Sequence, residues 1–337
     1  MKHGANIYKY AKELVCDANE ILDFSSNINS YHPNIDIKVT NEILVRYADS
    51  SHKELKESIS SKYQIKKNQI ALYNGATSAI FELFKSLKYS RVYLYAPLYG
   101  EYEKAINKKS KIIKINRFKN IYKKPRKGST VVFVNPSTPD GKYYDLERLF
   151  ALWREQNCTI IIDESFLEFE NLISLRNQIK DYKKLYIIQS FSKFYSCAGI
   201  RIGAIFSNKD NIKRLQTPKW NLSSFDVKFL STRVIDSSFD KRSKNLHKIH
   251  KKELLEILEN SKLFSKIYKS DSNFILVESK MSEEIFEYLL EHKILVRTCG
   301  SFDFLDNDHL RFGVKDIYMH DKLKKALESF SLSLLSK

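Results

Sequence analysis

One stretch constrains this chain more than any other: Ser190-Phe191-Ser192-Lys193-Phe194-Tyr195-Ser196-Cys197-Ala198-Gly199-Ile200-Arg201-Ile202-Gly203. The run before it, residues 185–188, is short, apolar and β-branched, which predicts a buried strand of a parallel sheet. Lys193 therefore falls in the turn just past a strand end. A lysine in apolar surroundings ordinarily lays its stem along them and leaves its ammonium in water. Here the hydroxyls of Ser190 and Ser192 and the forked guanidinium of Arg201 flank it, a set suited to a phosphate dianion. Gly199 and Gly203 are expected to let the backbone pack closely around that arginine. The combination predicts an amine held beside a bound phosphate. Burial would ease loss of its proton, leaving a nucleophile able to form a Schiff base with an aldehyde.

Other segments carry chemistry of the same kind. Residues 70–73 followed by Asn74-Gly75-Ala76-Thr77 read as a strand entering a helix that runs to about Leu87. Free N–H groups at such a helix start, with the Thr77 hydroxyl, can hold an anion; an ordinary capped helix is the plainer alternative. Residues 91–96 read as a strand, and Tyr99 beyond it can offer a flat π face, although 20 Tyr and 21 Phe make chance placement a competitor. Residues 130–134, again a buried strand, lead into Asn135-Pro136-Ser137-Thr138-Pro139-Asp140-Gly141. Residues 159–162 precede Asp163, and a carboxylate at the end of a buried strand is costly unless it is paired. Residues 204–208 form a strand that closes this large unit. Residues from about 225 to 262 read as long, lysine-rich amphipathic helices. Residues 273–278 and 293–297 read as strands, and His309-Leu310-Arg311-Phe312-Gly313 precedes a C-terminal helix.

Taken in order, these segments resemble the fold-type I pyridoxal phosphate (PLP) enzymes, in the branch of the histidinol-phosphate aminotransferases and threonine-phosphate decarboxylases. Ser-x-Ser-Lys, seven residues, then Arg-x-Gly is similar to the cofactor-lysine segment of that family. His3-Gly4-Ala5-Asn6 followed by Asp23-Phe24-Ser25-Ser26-Asn27-Ile28-Asn29 resembles the opening of the decarboxylases, and Arg46-Tyr47-Ala48-Asp49 resembles a family segment with proline in place of Ala48. The resemblance implies an α/β fold: a large domain with a mostly parallel central sheet flanked by helices, and a smaller α+β C-terminal domain. Residues 1–35 would be an arm over the active site, 36–225 the PLP-binding domain, and 226–337 linker helices plus the small domain.

The same resemblance implies residue roles. Lys193 would join the PLP aldehyde, Asp163 would face the pyridine nitrogen and Tyr99 would stack on the ring. Gly75, Ala76, Thr77, Ser190, Ser192, Arg201 and the partner subunit's Tyr47 would hold the cofactor phosphate, which would make the enzyme a homodimer; a surface tyrosine in a loop is the competing reading of Tyr47. His3, Gly4, Asn6 and Asn27 would close on the substrate, Arg311 would clasp its α-carboxylate, and Arg297 would meet its phosphate, though each arginine could instead be a surface ion-pair residue. The chain departs from the family at Thr138 and Asp140, where asparagine and threonine are usual, and at Phe166, where the aminotransferases carry tyrosine. The donor to the cofactor's phenolic oxygen is thus Thr138 or, behind it, Asn135.

The 337 residues are enough for one large and one small domain. Neither an apolar N-terminal run nor an apolar stretch approaching about eighteen residues is present, so secretion and membrane spanning are not expected. Cys16, Cys158, Cys197 and Cys299 are scattered and fit a reduced cytoplasmic protein, with no metal site anticipated. The formal charge of +17 is spread along the chain among acids, which suits solvated surface and attraction of a phosphorylated substrate better than nucleic-acid recognition. The arm and Phe166 favour decarboxylation of O-phospho-L-serine or O-phospho-L-threonine to ethanolamine phosphate or aminopropanol phosphate. An aminotransferase acting on histidinol phosphate or a similar phosphorylated amine is the alternative. A basic nucleic-acid-binding protein on this fold would instead show salt-sensitive binding and no cofactor band.

Overall fold

The structure, a computed structural model, describes residues 6–33 and 37–335. Its strands, in chain order, are β1 (Leu22–Asp23), β2 (Ile70–Asn74), β3 (Arg91–Ala96), β4 (Lys111–Asn116), β5 (Thr130–Val134), β6 (Thr159–Asp163), β7 (Leu185–Ser190), β8 (Ile202–Phe206), β9 (Lys266–Ile267), β10 (Phe274–Glu278), β11 (Ile294–Leu295), β12 (Arg297–Thr298) and β13 (His309–Gly313). A seven-stranded sheet has the order β2-β8-β7-β6-β5-β3-β4. β4, β3, β5, β6 and β7 are parallel, while β8 runs antiparallel to both of its neighbours, so the expected mostly parallel sheet is a mixed one.

The uninterrupted apolar runs of β5, β6 and β7 are buried along almost their whole length, as strands covered on both faces must be. One face packs a core around Phe133, Trp153, Ile162 and Phe206, and the other a core around Ile80, Leu83, Phe84 and Leu94. β4, which the sequence reading passes over, carries Lys111 and Lys114 among three isoleucines and lies at the sheet edge, where charged residues discourage further pairing. β8 lies two residues N-terminal of the expected strand, because its register begins with Ile202 opposite Asn74.

Helices Ser224–Arg233 and Ser237–Asn260 lead to a four-stranded antiparallel sheet, β12-β13-β10-β9, backed by helices Ser282–Glu291 and Ile317–Leu335 over a third core. β1 pairs in parallel with β11, so the N-terminal segment is fastened to this C-terminal part of the chain. Among the described residues no helix is long and apolar enough to cross a membrane.

Topology places the chemistry. β6 and β7 are parallel and their C-terminal ends carry Asp163 and Ser190; β2 runs the same way and ends at Asn74, next to Gly75. β8 runs the other way, so Arg201, just before its first residue, arrives at the same edge. Four separate chain segments thus meet at one end of the sheet, the customary place for a ligand in an open α/β sheet.

Candidate active site

A cavity of about 410 Å³ opens at that edge, lined among others by Ala76, Thr77, Tyr99, Thr138, Asp163, Ser190, Ser192, Lys193 and Arg201 from the large sheet and by Asn27, Arg297 and Arg311 from the rest of the chain. A groove of about 830 Å³ along helices Lys53–Tyr63 and Ser224–Arg233 is larger, but none of these residues lines it.

The candidate anion cradle is built largely from backbone. Gly75 has φ +79°, a left-handed conformation open to glycine, and starts the helix Gly75–Ser86. Its N–H donates to the Arg201 carbonyl at 3.0 Å, and a Cβ on Gly75 would stand 2.7 Å from Arg201 Nη2. A Cβ on Gly203 would meet the Ala76 nitrogen at 2.3 Å, so both glycines are needed for β8 to lie against the helix start. Gly199 does not share that role: nothing lies within 4 Å of where its Cβ would be. Ser190 Oγ and Ser192 Oγ are 2.9 Å apart, and Thr77 Oγ1 is 3.3 Å from the Tyr99 hydroxyl. Helix N–H groups, hydroxyls and a guanidinium around one space fit a phosphate.

Asp163 is buried at the end of β6. Its Oδ1 accepts from the Ser165 N–H at 2.9 Å and its Oδ2 from the Tyr102 hydroxyl at 2.8 Å. These two donors fix the direction of the carboxylate. Tyr102, three residues beyond Tyr99 on the next short helix, was not singled out in the sequence, where it is one tyrosine among many; only the contact identifies it. Lys193 Nζ lies 4.9 Å over the ring of Phe166. Burial lowers its pKa from 10.5, the Arg201 and Arg311 charges lower it further, and Asp163 opposes them. The amine is thereby prepared to act as a nucleophile or base.

On the facing wall, Arg297 of β12 and Arg311 of β13 are direct cross-strand partners, 2 % and 6 % exposed. Arg311 donates to the Ser25 carbonyl at 3.0 Å and to Thr138 Oγ1 at 3.2 Å, and its guanidinium sits 4.8 Å over Phe274. Burial drops its pKa to about 10, with Arg297 adding to the fall. Arg297 donates to Ser301 Oγ at 3.0 Å, and burial lowers its pKa too. Like charges opposed across a ladder repel, and burial compounds the cost. Anions entering between them would relieve both. Neither guanidinium is a surface ion-pair residue.

Several expected residues are elsewhere. Asn135 gives both ends of its amide to Tyr144, donating to its carbonyl at 3.0 Å and accepting from its N–H at 2.8 Å, which leaves Thr138 as the hydroxyl facing the cavity. Asn27 lines the cavity, and its buried side-chain oxygen has no hydrogen-bond partner among the described residues. Asn6, by contrast, is exposed ahead of helix Ile7–Glu13 and does not line the cavity, so the arm role expected of it is not seen in this chain alone. His3 and Gly4 lie outside the described residues. Tyr47 is 81 % exposed, its ring 5.1 Å from that of Trp220, and contributes nothing to its own chain's cavity.

The Asp140 departure has a partner: Arg117 bonds Asp140, the Pro97 carbonyl and the Thr138 carbonyl, all buried. Sequence reading missed this pair because its members lie 23 residues apart, Arg117 at the start of a short helix and Asp140 in a turn.

A lysine amine, an aspartate at strand depth, a helix start suited to an anion and a tyrosine ring around one cavity fit the site of a PLP-dependent α/β enzyme. The family model for aminotransferase class I and II matches residues 17–330, and the chain belongs to that family, whose cofactor is pyridoxal phosphate. It is 30% identical over 98% of its length to the adenosylcobalamin biosynthesis bifunctional protein CobDQ of Leptospira interrogans, of which the match covers 41%. The crystal structure of histidinol-phosphate aminotransferase from Clostridium acetobutylicum matches 93% of this chain and 100% of that one with a TM-score of 0.80 at 27% identity. That of L-threonine-O-3-phosphate decarboxylase from Porphyromonas gingivalis matches 94% and 100%, also with a TM-score of 0.80, at 20% identity, a likeness of fold.

Proposed function

We propose that the protein decarboxylates an O-phospho-L-amino acid, phosphoserine or phosphothreonine, to the corresponding amine phosphate. The observation that carries this reading is the buried, directly opposed pair Arg297 and Arg311 in the cavity that holds Lys193. Two cations on one wall suit a substrate with two anionic ends: Arg311, nearer Thr138, for the α-carboxylate, and Arg297 for the phosphate. Pyridoxal phosphate supplies an aldehyde that captures the substrate amine and a ring that draws electrons from a bond to the captured carbon. Gly75, Ala76, Thr77, Ser190, Ser192 and Arg201 would hold its phosphate, Tyr99 would flank the ring, and Asp163 would pair with the ring nitrogen. Thr138, whose hydroxyl lies in the same cavity, would serve the phenolic oxygen. Asn27 offers its buried acceptor to a donor on the substrate.

Once the C–CO2 bond breaks, carbon dioxide leaves and a proton carried by Lys193 takes its place on the carbon. Phe166 supports this outcome over transamination, since an apolar ring lies under Lys193 where the aminotransferases place a tyrosine hydroxyl. The exposed Tyr47 belongs, in this reading, in the cradle of a second copy, which makes the working enzyme a homodimer in the cytoplasm. Residues 1–35 form its arm, 36–225 the cofactor domain and 226–337 the linker helices and small domain.

The test is direct. Protein loaded with PLP is incubated with O-phospho-L-serine or O-phospho-L-threonine and no keto acid, and carbon dioxide is measured. Release of one carbon dioxide per amine phosphate supports the decarboxylase. Absence of gas, with glutamate appearing from 2-oxoglutarate and histidinol phosphate, assigns the chain to the aminotransferases that its relatives' names suggest.

A further inference from the structure

Just past β13, Lys315 is 6 % exposed and does not line the cavity, yet its ammonium is turned toward the loop that does. Its Nζ donates to the Ser26 carbonyl at 3.2 Å and to Ser26 Oγ at 3.1 Å. Among the described residues it bonds no carboxylate: Asp23, the acid on that loop, is occupied by the Ser25 N–H, the Ser25 hydroxyl and the Ser26 N–H. A buried cation on neutral acceptors is an expensive way to fasten a loop, and an apolar side chain of the same length would fill the space at lower cost.

What the loop touches accounts for it. The Ser25 carbonyl accepts from Arg311, the Asn27 carbonyl accepts from Asn273 at 3.0 Å, and the Asn29 N–H donates to the Lys193 carbonyl at 3.0 Å. One short segment therefore connects the carboxylate arginine to the lysine turn. It lies flat on β13, where a Cβ on Gly313 would stand 2.5 Å from the Ser26 carbonyl oxygen. Lys315 is itself anchored: its N–H donates to His320 Nε2 at 3.2 Å, and His320 Nδ1 pairs with Glu253 at 2.7 Å, on helix Ser237–Asn260.

We infer that Lys315 is a positioning residue, which holds the Ser25–Ser26–Asn27 segment in the shape that aims Arg311 and Asn27 at the substrate without touching substrate itself. This rests on the substrate reading above for its effect on affinity, and on geometry alone for its effect on the loop. The experiment compares wild type, Lys315→Met and Ser26→Ala, each loaded with PLP. Lys315→Met should melt no lower than wild type, since a buried cation is gone, yet amide exchange across residues 25–28 should quicken about tenfold. Its KM for the phospho-amino acid should rise about tenfold with PLP affinity unchanged, the loss expected for two charge-assisted bonds acting on binding. Ser26→Ala, which keeps the carbonyl acceptor, should move exchange and KM the same way by about threefold. A lower melting temperature with unchanged exchange and KM would make Lys315 a merely structural residue and overturn the inference, as would unchanged exchange in Ser26→Ala should Lys315→Met fail to fold. If wild type turns over neither phospho-amino acid, the substrate reading falls while the exchange data still decide the clamp.

Discussion

Asp140→Asn tests the buried ion pair that stands where the family has a threonine. Arg117 and Asp140 are 3 % and 2 % exposed, and the guanidinium also bonds the carbonyls of Pro97 and Thr138. Removing one member of a buried pair strands the other charge and costs about 3–5 kcal/mol. For a chain of 337 residues the unfolding entropy near the midpoint is about 0.7 kcal/mol/K, from about 2.1 cal/mol/K per residue, so the melting temperature should fall by about 4–7 °C. Thermal unfolding followed by circular dichroism measures this. Because Arg117 ties the Pro97–Tyr99 turn to the Thr138 turn, PLP affinity should fall with stability. The double variant Arg117→Met/Asp140→Leu, which removes both charges and keeps apolar volume, should recover most of the lost stability. An Asp140→Asn protein within about 1 kcal/mol of wild type, or a double variant less stable than the single, would refute the reasoning.

Further expectations concern the cavity. Lys193→Ala should abolish turnover and the borohydride-trapped adduct on the protein, checked by mass spectrometry; a fully active variant removes the central assignment. Arg297→Ala should weaken phosphorylated substrates far more than PLP, read from KM against cofactor titration, and equal losses would mark Arg297 as structural. Lys193 loses its proton below its usual 10.5 because of burial first and of Arg201 and Arg311 next, so the pH midpoint of cofactor capture should lie below 10.5 and move upward in Arg311→Leu. For Lys315, burial lowers the pKa from 10.5 to about 8, so the unfolded chain binds more protons between those values and stability rises with pH across that window. The stability advantage of Lys315→Met, up to about 3 kcal/mol below pH 8, should therefore shrink as the pH climbs to 10.5; a constant gap would show that the ammonium is not the source.

What could be read from the chain and what could not divides along the range of the interactions. Asp163, Ser190 and the Gly75 turn were legible because each follows a short apolar run, and parallel strands must deliver their C-terminal ends to one edge whatever the loops do. Lys193 followed from the same logic. Arg297 and Arg311 could be marked only by resemblance; that they oppose each other depends on the register of β12 on β13, which the fourteen-residue spacing does not specify. Tyr102 and Arg117 were invisible because a buried tyrosine or arginine has no local signature until its carboxylate partner is known. Close approach misled at Gly199 and held at Gly203 for one reason. Only the latter is inside β8, where backbone faces backbone, whereas Gly199 lies in the open turn before it. Lys315 is the extreme case, since in sequence it is one more lysine in a chain of charge +17. Its role follows from β1 pairing with β11, a contact spanning nearly the whole chain that lays residues 24–29 across β13. The parts of the site proposed to bind the cofactor are thus locally encoded, and the parts proposed to select the substrate are encoded in the docking of the N-terminal segment on the C-terminal sheet. Substitutions along that seam should change which anion is accepted before they change whether PLP is held.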